Sequence, residues 1–189
     1  ARDLFTKTGF SRICDLPFAR NPVNLSRTPT AIRLPAPAPG EENATAFAAR
    51  PAHVTDRRIG RGEGLLLDGV RVVEFGVAAV VPEMCMVLSE LGAEVIKVES
   101  LAHPDVLRAA GMGSPNRAFT FNTECRGRKS VAIDLTTEEG RELALSLCAS
   151  ADVVAENYRG GVIDAFGLGY EEVAARNPDV IYVSSQGYG

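Results

Sequence analysis

The stretch Gly69–Glu99 restricts this chain to a narrow set of folds. Val70, Val72, Val73 and Phe75 form a short apolar, β-branched run of the length of a buried strand. Pro82 suits the first turn of a helix, where its missing N–H is no loss. Met84, Val87, Leu88 and Leu91 then recur at helical spacing, predicting a core-facing stripe that Gly92 terminates. Val95, Ile96 and Val98 begin a second strand at once. Strand, helix and strand within about thirty residues make a βαβ unit, for which a right-handed crossover is expected.

The same alternation continues downstream. Val131–Leu135 reads as a third strand, and Thr136 with Glu139 as a capping box opening a helix with Leu143 and Leu147 on one face. Asp152–Asn157 reads as a fourth strand. A short helix with Val162, Ile163 and Phe166 follows, then a helix from about Tyr170 to Asn177-Pro178, and Val180–Ser184 is the fifth strand. Ser100–Thr123 reads as one long loop. The fold class expected is α/β: an open, mostly parallel, Rossmann-like sheet with helices on both faces. An extended Pro-rich segment precedes it, because Leu16–Arg33 and Pro35–Gly40 carry prolines at close intervals. Gly60, Gly62 and Gly64 lie in a polar, arginine-rich stretch that precedes the first strand, which fits a linker better than a phosphate loop.

Composition narrows the function. At 189 residues and net charge −4 the chain has no global basic field for nucleic acid or an anionic membrane, so neither is expected as a partner. No apolar run approaches the ~20 residues that span a bilayer. Cys14, Cys85, Cys125 and Cys148 are scattered, which predicts reduced thiols in a cytoplasmic protein and no metal site.

In such a sheet, ligands meet the loops after the strands. These are Gly76–Val81, Ser100–Arg108, Asp134–Thr136, Asn157–Gly161 and Ser184–Gly189. Arg108, Arg126, Arg128, Lys129 and Arg159 offer charge for phosphates, and Asn157 with Tyr158 offers polar groups for a base or amide. Solvated loop charge is the alternative for each cation. Asp134 stands at a strand end just before Thr136, which favours a turn-forming role over catalysis. His53 and His103 have no recognisable partners, and there is no G-x-S-x-G, Walker A or G-x-G-x-x-G motif after a strand. The residues alone reach an extended anionic ligand and no further.

Several blocks in register carry a resemblance: Leu67–Phe75, Leu91–Glu99, Arg126–Leu135, Ala151–Tyr158, Phe166–Tyr170 and Asn177–Tyr182. Their order resembles the N-terminal part of family III CoA-transferases, the formyl-CoA and carnitine-CoA transferase group that also contains α-methylacyl-CoA racemase. Asn21–Pro29, Ile32-Arg33 and Pro37–Asn43 resemble the same family's C-terminal tail. The resemblance therefore implies a tandem fusion: residues 1–49 from a preceding half, 50–65 a linker, and 66–189 the CoA-binding part of a second half. A circular permutant is the alternative arrangement.

The resemblance implies acyl-CoA and carboxylic acid substrates, with coenzyme A contacted at Ala79 and Val80, at Ile133, Asp134, Leu135 and Thr136 near the adenine, and at Asn157, Tyr158 and Arg159. Acyl transfer in the family passes through an aspartyl anhydride. The aspartate, like the racemase's His–Asp elements, would lie downstream of Gly187-Tyr188-Gly189, so no catalytic residue is expected here and the chain alone should be inactive. The remainder of a longer chain, or an interlocked homodimer, would complete the site. Three departures stand out: Val80-Val81-Pro82 replaces a glycine-containing loop, Ala165 replaces a basic residue, and Ser100 replaces an arginine of the formyl-CoA enzyme. They leave open a racemase part, or a degenerate half retained for assembly.

Overall fold

A computed structural model describes residues 5–7, 17–19, 40–41, 44, 64–111 and 114–186. The chain divides into two units, Ala1–Ala38 and Pro39–Gly189. In the first, β1 (Phe5–Lys7) pairs antiparallel with β2 (Pro17–Ala19), Phe5 opposite Ala19. Most of the Pro-rich segment and of the linker lies outside the described residues.

The second unit is a parallel sheet. Its strands are β3 (Arg71–Phe75), β4 (Glu94–Glu99), β5 (Lys129–Ala132), β6 (Val153–Glu156) and β7 (Ile181–Ser184), in the spatial order β5-β4-β3-β6-β7. Pairing sets Val73 beside Ile96 and Val154, and Val98 beside Val131. The order reverses between β3 and β6, so the topological switch point lies at their C-terminal ends.

Alternation along the strands divides the core in two. Val73, Phe75, Ile96, Val98 and Val154 face α3 (Glu138–Ala149), α4 (Val162–Ala165) and α5 (Tyr170–Arg176), where Ala144, Leu147, Cys148, Ile163 and Val173 are buried. Val72, Val95 and Ala155 face α1 (Val80–Glu90) through Val81 and Cys85. Burying each large aliphatic or aromatic side chain in these layers contributes about 1.5–3 kcal/mol. Helices cover both faces, as the sequence pattern predicts.

Several local expectations are corrected. The α1 stripe holds only in part: Met84 and Leu88 pack against the core, but Val87 and Leu91 remain 48% and 38% exposed, because the buried face is centred on Val81, Pro82 and Cys85. The third strand starts two residues early and ends at Ala132, where pairing with Glu99 stops; Ile133 and Leu135 are buried beyond it. Thr137, not Thr136, caps α3, its Oγ1 accepting from Gly140 N at 3.0 Å. Leu143 is exposed, since Ala144, Leu147 and Cys148 form the buried face. The segment read as a long loop is ordered into 3-10 turns at Val106–Gly111 and Pro115–Arg117 and into α2 (Phe119–Glu124).

Charge pairing closes the N-terminal edge of the sheet. Arg71 is buried and donates from Nε to Glu94 at 2.6 Å, while Lys129 Nζ lies 3.2 Å from the same carboxylate. Partial burial alone raises the Glu94 pKa, but these two cations outweigh it and hold the carboxyl below its usual value of 4.5. A lowered folded-state pKa contributes stability that is complete above the unfolded value and is lost as pH falls through the folded one. Glu94→Gln is therefore expected to cost about 1 kcal/mol at pH 7. Urea melts should show that deficit shrinking as the pH drops below the carboxylate range.

Candidate functional site

The loop Gly76–Ala79 joins β3 to α1 at the switch point, and its backbone is held from three directions. Asn157, immediately after β6, accepts from Val77 N and donates to Val77 O, both at 2.8 Å. Asp105 accepts from Ala78 N at 3.2 Å and from Leu107 N at 3.0 Å through one oxygen. Lys97 Nζ donates to Gly76 O. Two backbone features show how tightly the loop is drawn. A Cβ at Gly76 would come within 2.7 Å of Val81 Cγ1 and 2.9 Å of Pro82 Cδ, so only glycine fits. Ala78 holds φ +57°, a left-handed conformation that an L-residue adopts at a cost of about 1–2 kcal/mol.

Beneath the loop lies a buried ionic cluster. Glu74 and Lys97 are register partners on β3 and β4, 3.2 Å apart. Arg128 Nη1 reaches both Glu74 oxygens at 2.8 and 2.7 Å, and its Nη2 donates to Pro82 O and Glu124 O. Asp105 Oδ2 lies 3.1 Å from Lys97 Nζ without a directed hydrogen bond, and Arg128 Nε is buried with no acceptor. Burial pushes the Lys97 pKa down, but Glu74 and Asp105 more than offset this and raise it, so Lys97 stays charged. Burial and Glu74 push the Cys85 thiol up to about 12, and burial takes Cys125 to about 11, so neither is a thiolate nucleophile at neutral pH.

One strand over, a cleft of about 320 Å³ opens between the ends of β4 and β5, lined by Ser100, Leu101, Ala102, Ala132, Ile133 and Asp134. Its floor is shaped by the Asp134 turn, in which Asp134 Oδ1 accepts from Thr136 N at 3.0 Å and Thr136 Oγ1 at 2.7 Å. Those two bonds hold the Asp134 carboxyl below its usual range. Gly140 lets α3 approach this turn, since a Cβ there would sit 1.9 Å from Asp134 O.

The predicted site residues thus fall into two groups along one edge. Ala79 and Val80 are exposed at the start of α1, whose first turn has no side-chain cap, and Asn157, Tyr158 and Arg159 lie across the switch point. Ile133 and Asp134 line the cleft, and Thr136 is exposed beside it. Leu135 is buried in the main core and does not line the cleft. Asn157 is committed to Val77, and Tyr158 is half-buried, its phenol pKa raised by burial.

Of the five cations expected to meet phosphates, four are engaged within the fold. Arg108 holds Glu99 and stacks on Phe121 at 3.6 Å, Arg126 holds Glu90, Arg128 holds Glu74, and Lys129 holds Glu94. Arg159 is exposed, and its side chain forms no ion pair among the described residues. Sequence reasoning missed Asp105 and Lys97. Their contacts to Ala78, Glu74 and Gly76 span 21 to 27 positions, and the one available signal was an acidic residue inside a strand-end loop.

A parallel sheet with helices on both faces, a clasped loop at its switch point and an open cleft along the same edge define a protein of the α/β class, in which ligands characteristically meet the loops at the strand ends. The chain belongs to CoA-transferase family III, whose pattern matches residues 67–189. It is 41% identical over 125 residues to the probable fatty acyl-CoA transferase Rv3272 of Mycobacterium tuberculosis, covering 65% of this chain and 32% of that one. A crystal structure of Rv3272 matches with TM-score 0.60 at 41% identity, covering 67% of this chain and 35% of that one. The acetyl-CoA:oxalate CoA-transferase of Acetobacter aceti is 38% identical over 122 residues, 65% of this chain and 31% of the enzyme. The probable CoA-transferase Rv1866 of M. tuberculosis is 33% identical over 157 residues, 83% of this chain and 19% of that protein. The chain spans about a third of the length of Rv3272 and the oxalate enzyme.

The strain at Ala78 is directly measurable. Relieving it with Ala78→Gly is expected to raise stability by about 0.5–1 kcal/mol, after glycine's added unfolded-state entropy is counted. Ala78→Val should lower it by about 1 kcal/mol or more, because a β-branched residue suits this conformation least. Urea denaturation of the two variants checks the sign of each.

Proposed function

We propose that this chain supplies the CoA-binding part of an acyl-CoA:carboxylate CoA-transferase. The observation that carries the reading is the continuous strand-end edge, from the Ser100–Asp134 cleft to the clasped loop at the β3/β6 switch point. The cleft walls, mostly aliphatic with Ser100 and Asp134 as polar points, suit a flat heteroaromatic base such as adenine. Arg159, exposed and without an ion pair among the described residues, is the cation offered to phosphate, and the N-terminus of α1 adds favourable dipole at Ala79 and Val80. These residues bind and orient the thioester. The acyl exchange itself requires a carboxylate nucleophile, which on this reading lies outside this segment.

The tandem arrangement is part of the same proposal. The alignment to Rv1866 is longer than the 67–189 match, so it reaches into residues before Leu67. Its 157 residues make 19% of Rv1866, whereas 125 residues make 32% of Rv3272, so Rv1866 is about twice as long. Both facts support residues 1–49 as the end of one transferase-like half and 66–189 as the start of another. A second reading, a degenerate half kept for assembly, draws support from the four internally paired cations.

Calorimetric titration of the protein with coenzyme A separates the two. Binding is expected below millimolar Kd, weakened about tenfold by Arg159→Ala, the equivalent of one charge-assisted contact. Absence of heat at millimolar ligand would support the assembly role and count against the coenzyme site.

A further inference from the structure

We propose that Asp105 is a positioning residue for the coenzyme loop, acting through the backbone of Ala78; this rests on the coenzyme reading above. Asp105 is 3% exposed and arises from the turn after β4, a strand away from the loop it holds. One oxygen accepts from Ala78 N and from Leu107 N, and the other faces Lys97 Nζ at 3.1 Å. Lys97 in turn donates to Gly76 O, and Asn157 takes both polar groups of Val77.

Buried loop backbone needs partners, but water or a nearby side chain usually suffices. Here three side chains from two other strand ends fix four consecutive-chain polar groups, and they hold a non-glycine residue at positive φ. Such a conformation persists only where the surroundings over-determine it. The loop runs directly into Ala79, at the N-cap position, and Val80, the first residue of α1, where no side chain caps the helix. Asp105 therefore sets where those groups stand relative to a ligand without touching it. Preorganisation of this kind lowers the ordering cost of binding.

Geometry and charge are separable by two conservative variants. Asp105→Asn keeps the oxygen that accepts from Ala78 and Leu107 but removes the charge beside Lys97. Asp105→Glu keeps the charge and moves the oxygen by a methylene. Positioning predicts that Asp105→Glu raises the Kd for coenzyme A about tenfold, as expected for a misplaced backbone anchor. Asp105→Asn should stay within about threefold of the parent even if its Tm falls. Val173→Ala, in the core on the opposite face, should lower Tm and leave the Kd unchanged. If Asp105→Glu fails to fold, Asp105→Ser takes its place, being too short to reach Ala78. Parent-like binding by the Glu or Ser variant, or a loss in the Asn variant as large as theirs, would overturn the assignment. No binding by the parent protein would instead end the coenzyme reading, and this inference with it.

Discussion

Glu74 and Lys97 lie side by side on adjacent parallel strands, fully enclosed, and much of the fold is arranged to make that arrangement tolerable. Burying isolated charges costs several kcal/mol each, so the pair needs further partners. Arg128 and Asp105 supply them, giving two charges of each sign in one cluster. Removing one member would leave an uncompensated buried charge, at a cost of about 3–5 kcal/mol. The cluster also joins distant segments, because Arg128 reaches Pro82 O in α1 and Glu124 O in α2, and Lys97 reaches Gly76 O. Packing alone would not fix those segments in register with one another.

The same cluster explains why the strand-end edge has the shape it does. The β3–α1 loop is pulled onto the sheet by Lys97, Asp105 and Asn157, which leaves the beginning of α1 exposed. The neighbouring cleft depends on different contacts, the Asp134 turn and the seat of α3 against Gly140. A rigid switch-point loop and a cleft one strand away are suited to a ligand with a flat end and a long arm. The proposed coenzyme path runs between the two.

Much of the fold was legible from periodicity. The apolar runs at Val72–Phe75, Val95–Val98 and Val153–Ala155 marked buried parallel strands, and Gly92 ended α1 at φ +109° as its conformational freedom suggests. The buried face of α1 was legible only in part, through Met84 and Leu88. Val87 and Leu91 are as apolar as Val81 and Cys85, and only the tertiary arrangement chooses between them. The cap at Thr137 escaped notice because adjacent threonines offer the same chemistry, and the Asp134 turn decides between them. The cations were the larger gap. Arg128 pairs with Glu74 across 54 positions and Arg126 with Glu90 across 36, separations at which no local pattern can signal a partner. The Asn157 side chain likewise reads as a ligand contact until its bonds to Val77 are seen, and then reads as a clasp.

The most direct test of the account is a crystal structure of the protein with a coenzyme A thioester. The adenine end is expected against Ala132–Asp134 and Ser100–Ala102, with the arm passing Ala79 and Arg159 and the Ala78 conformation unchanged. Coenzyme bound away from this edge, or bound only after the Asp105 and Asn157 contacts to the loop have opened, would contradict it.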